Sequence, residues 1–426
     1  MEYVRLKDIG RIITGNTPPT SKPEYYGDYM PFIKATDISL GAKCTLVTEQ
    51  MYSELAAEKY KESLVPKGST CVVTIGSIGK KMTYAHTNLF VNQAINAIIP
   101  KNSYDKEYVY YTIRYSVLPQ LKKLDSGTTS GRENVSKSSF SGIRIPVIKD
   151  KSVQHRIASI LSSYDSLIEN NTKRIRLLEK MAENLYKEWF VRFRFPGYEK
   201  AEFGDSKYGK LPNTFSIVRM NDVFNYYIGG GWGEEEQSDD FPKKASVIRG
   251  ADFPNVWHYD VSSCPCRFHK TKNYTARQLK AGDIIMEISG GTSEQPVGRV
   301  VLVNRELIDR FEDGRVICAS FCKLIRVNKE KVSPYYFYYW MKLLYNTRII
   351  DKFQLQSTGI INFKFESFLR KCDVMLPPKE VMDTFEKQVA TLHREMNLLA
   401  KQNTLLARRR DLLLPRLMSG KLEVKP

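Results

Sequence analysis

Three short stretches hold residue types that could do chemistry. Cys264-Pro-Cys266 with His269 could open a zinc site, completed by His258 or by Cys318 and Cys322, because thiolates and imidazoles are the ligands zinc takes. The spacing matches no zinc knuckle and has no counterpart in the first half of the chain, so these read as ordinary cysteines, with no metal expected. Gly76-Ser-Ile-Gly-Lys80 lacks the spacing and the hydroxyl residue of a phosphate-binding P-loop. Ser333-Pro-Tyr-Tyr336 approaches the Asn/Asp-Pro-Pro-Tyr run of an adenine methyltransferase but lacks the second proline. It reads as a helix start, with serine at the N-cap and proline in the first turn. No clustered Asp/Glu-Xaa-Lys nuclease signature stands out. The expectation is a chain that catalyses nothing itself.

The chemistry left is binding. Over 426 residues, 65 Lys and Arg against 47 Asp and Glu leave a net charge of +18 and a pI near 9.4. A surplus of that size points to a polyanionic partner, with nucleic acid first. No apolar run approaches the roughly eighteen residues a membrane span needs. The seven cysteines form no regular framework, and Met1-Glu-Tyr-Val-Arg-Leu-Lys7 resembles no secretion signal. The cytoplasm, with reduced thiols, is the expected compartment.

The elements that would position binding residues occur twice. Tyr3-Val-Arg-Leu-Lys-Asp-Ile9 recurs as Ile217-Val-Arg-Met-Asn-Asp-Val223, an offset of 214 that also carries Gly15 onto Gly229. Ser126-Gly-Thr and Ile145-Pro146 match Ser357-Thr-Gly and Leu376-Pro377 at an offset of 231, so about seventeen extra residues are expected between Glu287 and Asp313. Each copy opens with short alternating apolar runs, such as residues 70–75, 94–99, 283–288 and 298–303, which read as strands. A tyrosine-rich helix follows, at residues 107–113 and 335–341, its aromatics at core spacing. Each copy is expected to be a compact α+β domain.

After each copy the period changes. Ile157, Leu161, Tyr164, Ile168, Asn171, Ile175, Leu178, Ala182, Leu185 and Trp189 keep a 4-3-4-3 spacing, the seam of a coiled coil. Phe385, Val389, Leu392, Met396, Leu399, Asn403, Leu406, Arg410, Leu413 and Leu417 repeat it, with Pro415 expected to end that helix. At about 1.5 Å per residue the first helix would run roughly 60 Å. Asn171 and Asn403 fall near the middle of their seams. They meet if the helices lie antiparallel, and a buried Asn pair fixes register at a cost in stability.

These residues resemble the specificity subunits of type I restriction–modification systems over essentially the whole chain. Gly15-Asn-Thr-Pro18, Pro23-Glu-Tyr-Tyr-Gly27, residues 31–38, Ile75-Gly-Ser-Ile-Gly79 and Asn92-Gln-Ala-Ile-Asn96 are similar to that family's first target recognition domain. Leu177-Leu-Glu-Lys180 through Trp189-Phe-Val-Arg192 is similar to its central conserved helix. Residues 205–212 resemble the junction into the second recognition domain, and residues 410–422 the end of the distal helix. In the second copy Gly229-Gly-Gly-Trp-Gly233 and Val247-Ile-Arg-Gly-Ala-Asp252 fit, while a later loop is longer.

The resemblance implies an α+β chain of two α/β recognition domains separated by an antiparallel coiled coil of two long helices, with a pseudo-twofold internal repeat. The expected boundaries are 1–150 for the first recognition domain, 151–195 for the central helix and 196–212 for a linker. Residues 213–378 form the second recognition domain, and 379–426 the distal helix and tail. It further implies a non-catalytic subunit that reads a bipartite double-stranded DNA target and docks two methyltransferase subunits and the restriction/translocase subunits. S-adenosylmethionine, ATP and Mg2+ would then be bound by those partners and no cofactor by this chain. The alternative is a stand-alone architectural or regulatory DNA-binding protein.

Affinity for DNA comes from cations against phosphates, and specificity from side chains at base edges. In the first copy the loop 126–137 offers Arg132 for guanine, Asn134 for adenine and Lys137 for a phosphate. In the second copy the loop 354–364 offers Gln354, Gln356, Asn362 and Lys364. Further candidates are Lys34, Thr36, Lys80, Lys81, Arg249, Arg267, Lys270 and Lys272.

Overall fold

A computed structural model describes residues 1–126, 133–292, 295–357 and 360–424. The chain divides into two compact units. One comprises residues 1–170 and 403–426, the other residues 171–402.

In the first unit, Glu2–Arg5 pairs antiparallel with Arg144–Val147, which closes the domain at its termini. A four-stranded antiparallel sheet runs in the order Gly10–Thr14, Ile95–Pro100, Thr70–Val73, Met82–Tyr84. A three-stranded sheet places Tyr26–Ile33 between Gln50–Tyr52 and Phe90–Val91, the latter parallel to it. Central strands are apolar on both faces: all of Thr70–Val73 is buried, as a strand covered on each side must be. Tyr108, Tyr110 and Tyr111 are buried, so the tyrosine-rich helix Lys106–Thr112 is core, as its spacing predicts.

The second unit repeats this plan. Ser216–Arg219 pairs with Asp373–Leu376, and a four-stranded sheet runs Phe224–Gly229, Cys322–Val327, Asp283–Glu287, Val300–Val303. A three-stranded sheet places Lys243–Ile248 between Cys266–His269 and the parallel strand Val316–Cys318. Tyr336, Tyr338 and Tyr339 of the helix Pro334–Asn346 are buried. This unit also has a small sheet of Ser289–Gly291, Ile360–Phe363 and Gln354–Ser357. Residues 203–212, expected to be plain linker, form the hairpin Phe203–Ser206 and Gly209–Pro212.

The ladders correct the sequence alignment of the copies. A bulge between Phe224 and Tyr226 adds one residue, so the residue that follows Gly10–Thr14 corresponds to Gly230, not Gly229. Gly15 N–H donates to Ile95 O and Gly230 N–H to Cys322 O, each the first residue of the neighbouring strand. A Cβ at either would lie 2.0 or 2.1 Å from a carbonyl oxygen, of Val91 or Ala319, so only glycine fits. At the closing strands Leu6 N–H bonds Ile143 O as Met220 N–H bonds Cys372 O, which sets the offset at 229 rather than 231. The proline shared by Ile145-Pro146 and Leu376-Pro377 is coincidental, because by pairing Pro146 corresponds to Met375.

The central helix, Lys151–Tyr186 with a further π-helical turn Lys187–Val191, and the distal helix, Lys379–Met418, follow the seam spacing. No seam residue of either helix is exposed, whereas Leu167, Leu177 and Met181 off the seam are. Within each unit the two segments run antiparallel. Arg410 pairs with Asp165 in the first, and Arg174 with Glu395 at 2.7 Å in the second. Pro415 does not end the distal helix: Leu417 and Met418 beyond it are buried in the first unit's core. One missing N–H is tolerable there because the proline is exposed and Ser419 N–H still bonds its carbonyl.

Candidate nucleic-acid interface

In the first unit three loops are tied together at one end of the sheets. The turn after Tyr26–Ile33 is closed by Asp37, whose carboxylate accepts from Lys34 N–H at 2.8 Å. Lys81 Nζ donates to Ala35 O in that turn at 2.9 Å. The loop 74–79 is bound to the next: Gly76 N–H donates to Glu133 O, Val135 N–H to Thr74 O, and Ile75 bridges Asn134. Asn134 is itself pinned by Asp125 Oδ1, which accepts its N–H at 2.7 Å. Lys34, Thr36, Lys80, Lys81, Asn134 and Lys137 therefore belong to one connected loop assembly. Thr36, Lys80 and Lys137 are exposed, the last in the opening turn of helix Lys137–Gly142. Lys34 also pairs with Glu49. Arg132 lies outside the described residues.

The second unit builds the same frame with different side chains. Asp252 accepts from Arg249 N–H at 2.9 Å as Asp37 does from Lys34, and it also holds the Arg249 guanidinium at 2.8 and 2.9 Å. Burial opposes the Asp252 charge, but these bonds keep its carboxyl below the usual range. Arg299 Nη2 donates to Gly250 O at 2.9 Å, the task Lys81 has in the first copy. Glu287 balances the buried Arg299 through contacts of 2.6 and 2.7 Å. Ser289 pairs with Asn362 as Ile75 does with Asn134, and Ser289 Oγ donates to Asn362 Oδ1 at 2.7 Å. Gln354 clamps the Val297 backbone from both sides, at 2.7 and 3.2 Å. Lys364 is exposed beside this pairing, and the Gln356 side chain lies outside the described residues.

Arg267, Lys270 and Lys272 gather elsewhere, on the edge strand Cys266–His269 and the helix Thr271–Arg277. Arg267 stacks on Trp232 at 4.6 Å and pairs with Glu235 at 2.5 Å, while Lys270 lies over Phe241 at 5.2 Å. Lys272 is exposed. Several residues at these edges went unrecognised in the sequence. Arg299 occupies the Lys81 position, Trp232 is 39 % exposed, and Phe321, Leu355 and Ile360 are exposed apolar side chains beside the Ser289–Asn362 pairing. The glycine-flanked Trp232 was the available signal. Among the described residues no three His, Cys, Asp or Glu side chains form a group that could hold a metal ion. Burial raises the Cys318 thiol to about 12 and that of Cys264 to about 12.

Two α/β domains in one chain, each with its own loop assembly of cations and amides and its own stretch of antiparallel helices, define a duplicated binding module. Residues 1–180 match the type I restriction modification DNA specificity domain. The specificity subunit of the type I restriction enzyme MjaIX of Methanocaldococcus jannaschii is 25 % identical, over 99 % of this chain and 93 % of its own. That of HindI from Haemophilus influenzae is 31 % identical over 42 % of this chain and 38 % of its own. The crystal structure of the type I S subunit from M. genitalium shares the fold, with a TM-score of 0.53 at 15 % identity, over 98 % of this chain and 95 % of that one. The chain is thus similar over nearly its whole length to type I specificity subunits, and its first 180 residues match their DNA specificity domain.

Proposed function

We propose that this chain is the non-catalytic DNA-reading subunit of a type I restriction–modification complex, each unit reading one part of a bipartite double-stranded target. One observation carries this reading: the same loop frame is built twice and dressed differently. Lys34, Lys81 and Ile75 stand in one copy where Arg249, Arg299 and Ser289 stand in the other, while Asn134 and Asn362 keep the same amide. A constant frame with variable side chains suits a split, non-palindromic sequence better than two identical half-sites. The frame residues hold loops, whereas Thr36, Lys80, Lys137, Lys272 and Lys364 are exposed to solvent.

In this reading the long helices dock two methyltransferase subunits, and restriction/translocase subunits join the same assembly. S-adenosylmethionine, ATP and Mg2+ serve those partners, and the complex works in the cytoplasm. The test is to co-express the chain with its cognate methyltransferase subunit and map methylated adenines across a host genome. A two-part motif with a fixed gap, absent without this chain, is expected. DNA binding with no methyltransferase in the purified complex would favour the stand-alone alternative.

A further inference from the structure

The two units use corresponding tyrosines to grip the helices, but the residues gripped differ in kind. Tyr111 Oη donates to Asp165 Oδ2 at 2.5 Å, and Tyr339 Oη meets His393 Nε2 at 2.9 Å, each pair 54 residues apart in sequence. Asp165 on the central helix and His393 on the distal helix are therefore equivalent positions. Around them the chemistry diverges. Asp165 is salt-bridged to Arg410 of the distal helix, and both side chains are 3 % exposed. Arg410 is anchored further by Asp411 at 3.0 Å, which also takes Arg114 at 3.1 Å. The central-helix position corresponding to Arg410 is Ala182, fully buried. His393 instead lies between two tyrosine hydroxyls. Its other nitrogen meets Tyr259 Oη at 2.7 Å, and Asn304 donates to that hydroxyl at 2.6 Å.

We propose that the Asp165–Arg410 pair, set against His393 and Ala182, makes the central helix select the distal helix over a second copy of itself. The repeat gives the two helices matching apolar seams, so apolar packing alone would also accept central-with-central or distal-with-distal pairing in the same antiparallel register. Central-with-central pairing sets Asp165 opposite Ala182 and buries two carboxylates without a cation. Distal-with-distal pairing sets Arg410 opposite His393 and buries two guanidiniums without a carboxylate. Breaking one side of a buried ion pair is strongly destabilising, whereas the pair itself contributes little net stability. The pair thus acts against wrong partners and keeps one first-half domain with one second-half domain.

The test starts from the full chain with a protease site inserted after Gly197, cleaved after folding, with tagged and untagged copies mixed. Native mass spectrometry then counts the pairings of the two halves. The wild type is expected to give only first-half with second-half complexes. Asp165→Arg with Arg410→Asp should keep that pattern, which separates selectivity from a mere need for these residues. Ala182→Arg with His393→Asp gives each half a complementary pair against itself, so same-half dimers should rise about tenfold or more. Same-half dimers in the cleaved wild type, or none in the Ala182→Arg, His393→Asp protein, would overturn the proposal.

Discussion

Lys80 and Lys81 are neighbours with opposite fates. Lys81 is spent on the Ala35 carbonyl, as Arg299 is on Gly250, while Lys80 is exposed. Lys80→Ala should therefore weaken binding to any duplex about equally and lower the salt-dependence slope by about one, read from titrations at several salt concentrations. Gln354→Ala should instead lower the melting temperature with the slope unchanged, since that amide clamps Val297. Sequence shows that loops are polar and basic, but not which cation has a carbonyl 46 residues away to hold. His393 gives the pH-dependent case. Burial lowers its pKa to about 3, with Glu179 and Lys342 pulling in opposite directions, and its ring faces Tyr259, Tyr335, Tyr338 and Tyr339. The unfolded chain takes up that proton near pH 6.5 and the folded chain only near 3, so this contribution is whole above 6.5 and is lost as pH falls towards 3. His393→Phe should flatten the stability slope between pH 6 and 4 in denaturant melts, and an unchanged slope would assign the acid sensitivity elsewhere.

At the scale of elements, period carries more than letters. The 4-3-4-3 spacing located both helices because seam burial depends on period alone, and the tyrosines fell at core spacing for the same reason. The one-residue bulge near Asn225 was invisible, since a bulge is a matter of which carbonyl each N–H finds. It moved the matching glycine to Gly230 and shows why that residue is glycine. Gly15→Ala and Gly230→Ala must each push a strand apart and should cost about 1–3 kcal/mol by denaturant unfolding. Gly142, whose Cβ position is open, is the control, and Gly142→Ala should change stability little. Equal losses at all three positions would mean the close approaches carry no weight.

At the scale of the molecule, each unit has its own buried clusters and its own loop assembly. The duplication was legible because copied strands keep their turns. The reading residues were not, because the sequence shows no partner for a base-facing side chain. Modularity can nevertheless be tested without knowing them. Replacing residues 1–150 with the first domain of a type I specificity subunit should change one half of the methylated motif and leave the other half as it was. The graft must still pack on Leu414, Leu417 and Met418, which the distal helix lends to the first unit's core, so an insoluble graft is rescued by matching those three side chains to the donor's. Arg132→Ala is the finer version of the same experiment: it should relax selection within that half-site only. Genome-wide mapping of methylated adenines reads both outcomes. A change in both halves after either substitution would show that the units do not read independently.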